Sequence, residues 1–200
     1  MDAFEALVEA HRPAMRMVLA KLVRLLEARN VRYVIGGANA LSLYVRPRMT
    51  VDLDAFVDAS EKETLDKLLA ADFEVLSVGR FHSKFRDGDV EVDIVCAGAN
   101  AEDFAIASGR DAVLLGTKVR VASPEGLLLL YLNSEKPVNF ADAIELLRSQ
   151  PALDLRRVRK QLERHQPELL AKLEKMLHIA RQPTPSYEES RARRPGELRP

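Results

Sequence analysis

The spacing of apolar positions changes several times along the chain, and each change predicts an element. Residues 2–29 carry apolar side chains at helical spacing, which predicts amphipathic helix, and Pro13 either splits it into two helices or lies in a first turn. Residues 31–37 form a short apolar run, typical of a buried strand that ends in a turn. A short helix over 38–45 and a second strand over 50–57 follow.

The middle of the chain alternates between strand patterns and turn signals. Ser60 and Glu63 have the spacing of a capping box, which predicts a helix through Ala70. Asp87-Gly88 separates two apolar runs and predicts a hairpin turn, and Gly116 marks a second turn of this kind. The strands that these signals delimit are 73–78, 80–85, 90–95, 112–115 and 118–121.

The last third of the chain is helical in pattern. A short helix is predicted over 101–108, and Ser123 with Pro124 marks the start of an apolar helix. The final segment is rich in Pro, Arg and Glu and has little apolar surface to bury, which predicts disorder. We therefore predict an α+β fold in which a small mixed β-sheet is flanked by helices. Its parts are a core with N-terminal helices (1–121), a C-terminal helical subdomain (122–179) and a disordered tail (180–200).

The composition is that of an ordinary globular protein. The 200 residues are 47% hydrophobic and 30% charged with a formal net charge of zero, which argues against nucleic-acid binding through bulk positive charge. The sequence shows neither a signal peptide nor an apolar run of about 20 residues, so we expect a cytoplasmic protein without membrane contact. With one cysteine, Cys96, it has no internal disulfide and no zinc cluster.

The charges are distributed unevenly along the chain. Residues 51–120 carry 15 acidic and 8 basic side chains, a net charge of −7. A carboxylate metal site would produce such an acidic middle, and so would a solvated acidic face. The positions of individual acids must distinguish the two.

Asp52 and Asp54 are the strongest chemical signal in the sequence. Aspartate is disfavoured in strands, yet these two occupy alternate positions of one, with their side chains on the same face. Asp93 is a third acid inside an apolar strand. Two carboxylates about 4 Å apart repel by about 4 kcal/mol at an effective dielectric of 20, so a cation is expected between them. Oxygen ligands favour Mg²⁺ or Mn²⁺, and the three acids can hold two such ions.

A pair of glycines precedes these acids at the end of the first predicted strand. Without side chains at Gly36 and Gly37, a triphosphate can approach the backbone, and the N–H groups of the next helix can face it. Tight packing at a strand end is the alternative explanation for the pair. Further candidate nucleotide contacts are Asn39, Ser42, Arg48 and Lys84, the last two as cations that neutralise phosphate charge.

These motifs together resemble a known superfamily. A Gly-Gly turn, a short helix, a strand with Asp-x-Asp and a third Asp on a later strand are similar to the DNA polymerase β-like nucleotidyltransferases over residues 31–97. Arg48-Met49-Thr50 before "DLD" resembles the small bacterial members. Residues 123–147 are similar to a helical segment of AbiEii-type proteins, which include toxins of toxin–antitoxin pairs.

The resemblance implies transfer of a nucleoside monophosphate from an NTP to an acceptor hydroxyl, with release of pyrophosphate. It makes Asp52, Asp54 and Asp93 the catalytic residues and the ligands of two Mg²⁺ or Mn²⁺ ions. The glycine turn would then hold the nucleotide. An RNA such as tRNA, a protein or a small molecule can supply the acceptor hydroxyl.

The chain departs from its AbiEii-type relatives in the helical segment. They usually carry a lysine at the position of Tyr131 and a Lys-Asp pair at Val138-Asn139, whereas Asp142 is retained and Lys136 lies nearby. The alternative function is therefore a weak or inactive nucleotidyltransferase module. Such a module would act as a toxin–antitoxin component or a nucleotide-binding partner of a protein from a neighbouring gene.

Overall fold

A computed structural model describes residues 3–98 and 100–183, with side chains from residue 12 onward. The α-helices are α1 (Ala3–Ala28), α2 (Gly37–Leu41), α3 (Lys62–Leu69), α4 (Asn100–Ala107), α5 (Pro124–Leu132), α6 (Pro137–Ser149), α7 (Leu155–His165) and α8 (Leu170–Ala180). The strands are β1 (Tyr33–Ile35), β2 (Asp52–Val57), β3 (Glu74–Val78), β4 (His82–Asp87), β5 (Val90–Cys96), β6 (Arg110–Leu114) and β7 (Thr117–Val121). None of these helices is long and apolar enough to cross a membrane.

The strands form one mixed sheet in the order β3-β4-β5-β2-β1-β7-β6. At its centre β2 pairs parallel with β5 and antiparallel with β1, and β1 pairs parallel with β7. Leu53, Ala55 and Val57 of β2 are fully buried, so the alternate residues of this strand face the other side. The predicted mixed sheet with flanking helices is confirmed.

Helix α1 continues through Pro13, so the predicted split or first-turn position is wrong. A proline inside a helix costs about 3 kcal/mol because a backbone hydrogen bond is lost. Burial of a Leu or Val side chain gives back about 1.5–3 kcal/mol, and α1 buries several of them on the core after the proline. They are Val18, Leu19, Leu22, Val23 and Leu26.

The capping box predicted at Ser60 is also wrong. The carboxylate of Asp58 accepts a hydrogen bond from the Ser60 amide and caps a short 3-10 turn, Ala59–Glu61, before α3 begins. Asp58 directly follows β2 and lies two residues before Ser60. It therefore serves as the cap, the role that the sequence pattern assigned to Ser60.

The helical segment packs against two helices of the core, α2 and α4. Ser123 accepts a hydrogen bond from the Gly126 amide, which confirms it as the N-cap of α5. Every residue of α5 is buried, and this helix contacts α2, α4, α6 and α7. The division into a core and a subdomain at residue 121 stays a prediction. The predicted tail begins at the end of α8, and its residues 184–200 lie outside the described ones.

Candidate functional site

Three carboxylates meet where the two central parallel strands pair. The register of β2 and β5 places Asp54 directly opposite Asp93, and Asp52 precedes Asp54 by two residues on the same face. One carboxylate oxygen from each of the three lies within 4.8 Å of those from the other two. The structure therefore brings together the three acids that the sequence singled out.

The electrostatics of this cluster favour a bound cation. Burial is the main cause that raises the pKa of Asp54 to about 7, and the charges of Asp52 and Asp93 raise it further. Lys136 and Arg48 act in the opposite direction. The donors are all carboxylate oxygens, which suit a hard divalent ion such as Mg²⁺ or Mn²⁺. The residues present thus fit the metal that the sequence predicts.

Side chains around the cluster orient two of the acids. The Thr50 hydroxyl donates a hydrogen bond to the Asp52 carboxylate. His82 Nε2 lies 3.1 Å from Asp93 Oδ1, and Lys84 Nζ lies 3.5 Å from the same oxygen. Lys84 also donates to Glu91 at 2.9 Å, so its charge is shared by two carboxylates of β5. Its predicted contact with a nucleotide stays a prediction.

The two glycines are required by the side chains of β2. The Gly36 amide donates to the carbonyl oxygen of Asp54 at 2.9 Å, and a Cβ at Gly36 would lie 2.4 Å from the Phe56 ring. Gly37 has φ +56°, and a Cβ there would lie 1.8 Å from Asp54 Oδ2. Tight packing at a strand end, the alternative explanation for this glycine pair, is therefore present. Phosphate binding by this turn is compatible with that packing and remains a prediction.

Asn39 and Ser42 make contacts within the protein rather than lining the acidic cleft. Asn39 is buried, and its Nδ2 donates to the carbonyl oxygen of Asp52 at 2.7 Å. The Ser42 hydroxyl donates to the carbonyl oxygen of Asn39 at 2.6 Å. Both residues line a neighbouring cavity of about 110 Å³. Asn39 therefore fixes the start of the aspartate strand, and a nucleotide contact of either residue stays a prediction.

A cleft of about 330 Å³ opens over the carboxylates of Asp52 and Asp54. Its floor is β2, one side is the glycine turn, and the facing wall comes from the end of α5 and the start of α6. The other residues that line it are Gly37, Ala38, Arg48, Phe56, Val95, Glu102, Leu130, Tyr131, Asn133, Ser134, Lys136, Val138 and Asn139. Glu102 and Asn133 were missed by sequence reasoning because no local pattern marks them.

Arg48 joins the sheet core to the helical segment. Its Nε and Nη2 donate to the two carboxylate oxygens of Asp142 on α6, at 3.1 and 2.8 Å. This bidentate pairing with Asp142 raises the pKa of the arginine and holds its guanidinium at the edge of the cleft. Asp142 thus positions a cation beside Asp52.

Solved structures with the same fold were found by comparison. The solution structure of the antibiotic-resistance factor ANT(2'')-Ia matches with a TM-score of 0.59 and 20% identity, over 84% of this chain and 98% of that one. The crystal structure of ANT(2'')-Ia with adenylyl-2''-tobramycin matches with a TM-score of 0.54 and 17% identity, over 74% and 94%. ANT(2'')-Ia is a nucleotidyltransferase. This chain has the nucleotidyltransferase fold.

A looser likeness is to a nucleotidyltransferase-like protein from Paracoccidioides brasiliensis. It has a TM-score of 0.48 and 20% identity, over 82% of this chain and 91% of that one. No protein-family model and no curated protein matches the sequence.

Within this nucleotidyltransferase fold, Tyr131 closes the cleft against the glycine turn. Its hydroxyl donates to the carbonyl oxygen of Gly37 at 3.2 Å. Burial, then the charges of Asp142 and Asp54, raise the pKa of the phenol far above its usual value, so it stays neutral. Lys136 also lines the cleft and lowers the pKa of Asp54. Lys136 therefore supplies a positive charge to the cleft, which the neutral Tyr131 cannot do.

We expect Asp142→Asn to destabilise the protein by about 1–3 kcal/mol, because Arg48 then loses the buried carboxylate that accepts its paired hydrogen bonds. Urea unfolding measures the change. Asp111→Asn is the matched control, since Asp111 pairs with Arg120 in the same chemistry but is 86% exposed, against 9% for Asp142. The control should change the unfolding free energy by less than about 1 kcal/mol. If the two variants lost the same free energy of unfolding, the Arg48–Asp142 pair would contribute no more to stability than an exposed surface pair.

Proposed function

We propose that this protein transfers a nucleoside monophosphate from an NTP to an acceptor hydroxyl and releases pyrophosphate. The observation that carries the proposal is the meeting of Asp52, Asp54 and Asp93, of which the first two line a cleft beside Gly37. Three acids this close are costly without a cation, and two cationic side chains on the same cleft suit an anionic substrate.

Each group of residues has a role in this reaction. The three aspartates would hold one or two Mg²⁺ or Mn²⁺ ions, which neutralise phosphate charge and lower the pKa of the attacking hydroxyl when bound. Arg48 and Lys136 line the cleft and bind the phosphates. The acceptor oxygen bonds to the α-phosphorus, the bond to the bridging oxygen breaks, and Asp93 takes the hydroxyl proton.

The acceptor that we favour is a small molecule. ANT(2'')-Ia, which shares the fold, has been seen with adenylyl-2''-tobramycin, a nucleotide joined to a small-molecule hydroxyl. The cleft of about 330 Å³ is within the range of pockets that enclose small ligands. An RNA or protein acceptor would have to place its reacting hydroxyl in the same space.

The experiment is a transfer assay with each of the four labelled NTPs against a fractionated bacterial cell extract. Wild type should label an acceptor only when Mg²⁺ or Mn²⁺ is added. Asp52→Asn/Asp54→Asn should reduce labelling by at least about a thousandfold, because several kcal/mol of transition-state stabilisation are lost. Equal labelling by both proteins would overturn the proposal.

A second candidate function is nucleotide binding without transfer, as in a toxin–antitoxin component or a nucleotide-binding partner protein. The neutral Tyr131, bonded to the glycine turn at the position of an expected lysine, favours it. Calorimetry and the transfer assay in combination distinguish the two candidate functions. A metal-dependent heat of NTP binding without release of pyrophosphate would select the second.

We expect Lys136→Met to weaken NTP binding by about tenfold, because one cation that faces the phosphates is lost while the apolar stem is kept. Lys118→Met is the matched control, since Lys118 is an exposed cation on β7 that does not line the cleft. Calorimetric titration with NTP and Mg²⁺ measures both. An equal loss in the control would assign the effect to the overall charge of the protein instead.

A further inference from the structure

The loop between α5 and α6, residues 133–136, forms part of the wall of the cleft. Ser134 and Lys136 both line the cleft. The charge of Lys136 acts on Asp54, where it opposes the rise in pKa that burial and the neighbouring aspartates cause. Exposed loops are more mobile than the elements they connect. The position of the Lys136 ammonium group therefore depends on what holds this loop.

Lys172 of α8 binds this loop but does not itself line the cleft. Its Nζ donates hydrogen bonds to the carbonyl oxygens of Leu132 and Ser134, at 2.8 and 2.7 Å, and its side chain is only 23% exposed. Leu132 is the last residue of α5, and the final carbonyl groups of a helix have no partner within that helix. A cation also interacts favourably with this end of the helix dipole. One ammonium group thus binds both the end of α5 and the loop that follows it.

Ser134 links Lys172 to Lys136. Its Oγ accepts hydrogen bonds from the backbone N–H of Lys136 at 3.2 Å and from Nδ2 of Asn139 at 2.8 Å. Its carbonyl oxygen accepts the bond from Lys172. A continuous set of contacts therefore joins the Lys172 ammonium group, through Ser134, to the backbone of Lys136. When the bond to the carbonyl oxygen is lost, Ser134 is freer to move, and the backbone of Lys136 moves with it.

We propose that Lys172 is a positioning residue of the nucleotide site, which clamps the α5–α6 loop and so keeps the Lys136 ammonium group facing the phosphates of an NTP. This inference rests on the proposed function, because it concerns the phosphate-binding cation of the same cleft. It makes α8, the last helix that the structure describes, part of the nucleotide site.

A purely structural role, in which Lys172 only caps α5, is the alternative. Both roles predict that Lys172→Met loses stability, so unfolding does not distinguish them. They differ in whether the effect of Lys172 on NTP binding depends on Lys136. An effect that acts through Lys136 disappears once Lys136 is replaced, whereas the effects of independent substitutions add.

The test is a double-mutant cycle on the full chain, measured by calorimetric titration with Mg²⁺ and whichever of the four NTPs wild type binds most tightly. Lys172→Met should weaken NTP binding by about fivefold, somewhat less than loss of Lys136 itself. In a chain that already carries Lys136→Met, the same change should weaken binding by less than about 1.5-fold. Lys172→Gln replaces it in the cycle if Lys172→Met does not fold.

Lys175→Met is the matched control. Lys175 is an exposed cation on the same helix, three residues further on, and does not line the cleft. Its removal takes the same charge from α8 without touching the loop, so NTP affinity should change by less than about 1.5-fold.

Hydrogen exchange gives a second readout, which needs no nucleotide. The amide groups of Ser134 and Lys136 should exchange at least about tenfold faster in Lys172→Met than in wild type, because the loop opens more often. In Lys175→Met they should exchange at the wild-type rate.

Any of three results would overturn the inference. They are an equal loss of affinity in the presence and absence of Lys136, a loss in Lys175→Met as large as that in Lys172→Met, and unchanged NTP affinity or loop exchange in Lys172→Met. A wild type that binds no NTP would overturn the inference together with the proposed function. Coupled NTP binding without release of pyrophosphate would contradict the proposed function alone and support the clamp.

Discussion

Asp54→Asn is expected to make the metal-free protein more stable while it abolishes transfer. Asp54 is buried beside two further carboxylates, and both neighbours raise its pKa. An amide at this position removes the repulsion, and we expect a gain of about 1–3 kcal/mol in the free energy of unfolding at pH 8. The same change removes a metal ligand, so transfer should fall by at least about a thousandfold.

Urea unfolding with and without excess Mg²⁺ measures the stability effect. Mg²⁺ should stabilise wild type because it binds only the folded cluster, and it should stabilise Asp54→Asn far less. Asp89→Asn is the control, since Asp89 is exposed next to the β4–β5 turn and should leave both values unchanged. If metal-free Asp54→Asn were less stable than metal-free wild type, repulsion among the three carboxylates would not destabilise the protein, and the argument for a bound cation would fail.

Gly37→Ala is expected to cost about 2–5 kcal/mol of stability and to remove metal-dependent transfer. The left-handed backbone at φ +56° costs an L-residue about 1–2 kcal/mol. The new methyl group would lie 1.8 Å from Asp54 Oδ2, so either the carboxylate or the turn must move, at a further cost of about 1–3 kcal/mol. A displaced Asp54 can no longer share a cation with Asp52 and Asp93.

Gly88→Ala separates backbone strain from the clash. Gly88 has a similar φ of +59°, and a Cβ there meets no atom within 4 Å. This variant should lose only the strain of about 1–2 kcal/mol and should keep its transfer activity. Thermal unfolding, the transfer assay and Mg²⁺ titration compare the two variants. If Gly37→Ala retained wild-type metal binding, the close approach of Gly37 and Asp54 would not matter for the site.

Local sequence patterns failed where a competing interaction was stronger. The pattern at Pro13 predicted a break because it describes one lost hydrogen bond, but the buried face of α1 outweighs that loss. Ser60 had the correct spacing for a cap, but Asp58 at the end of β2 accepts a hydrogen bond from the amide of Ser60 itself and begins the turn earlier. In both cases a neighbouring element decided the outcome.

The helical face of the cleft shows the same limit. The resemblance to AbiEii-type proteins singled out Tyr131, Lys136 and Asp142. Their contacts could not be derived from their spacing in the sequence. Only the packed structure shows that Tyr131 bonds to Gly37 and that Asp142 holds Arg48. Glu102 has no motif at all, and only the packed structure shows that it lines the cleft.

The sequence by itself determined which side chains of β2 share a face, because the two-residue period of a strand is a property of the backbone. It also determined that the chain turns at Gly36 and Gly37 just before the aspartates. Only the tertiary structure decided that Asp93 joins Asp52 and Asp54, because β5 follows β2 in space but is separated from it in sequence by α3, β3 and β4. Strand register and helix docking depend on how the whole core is filled, so no local pattern encodes them.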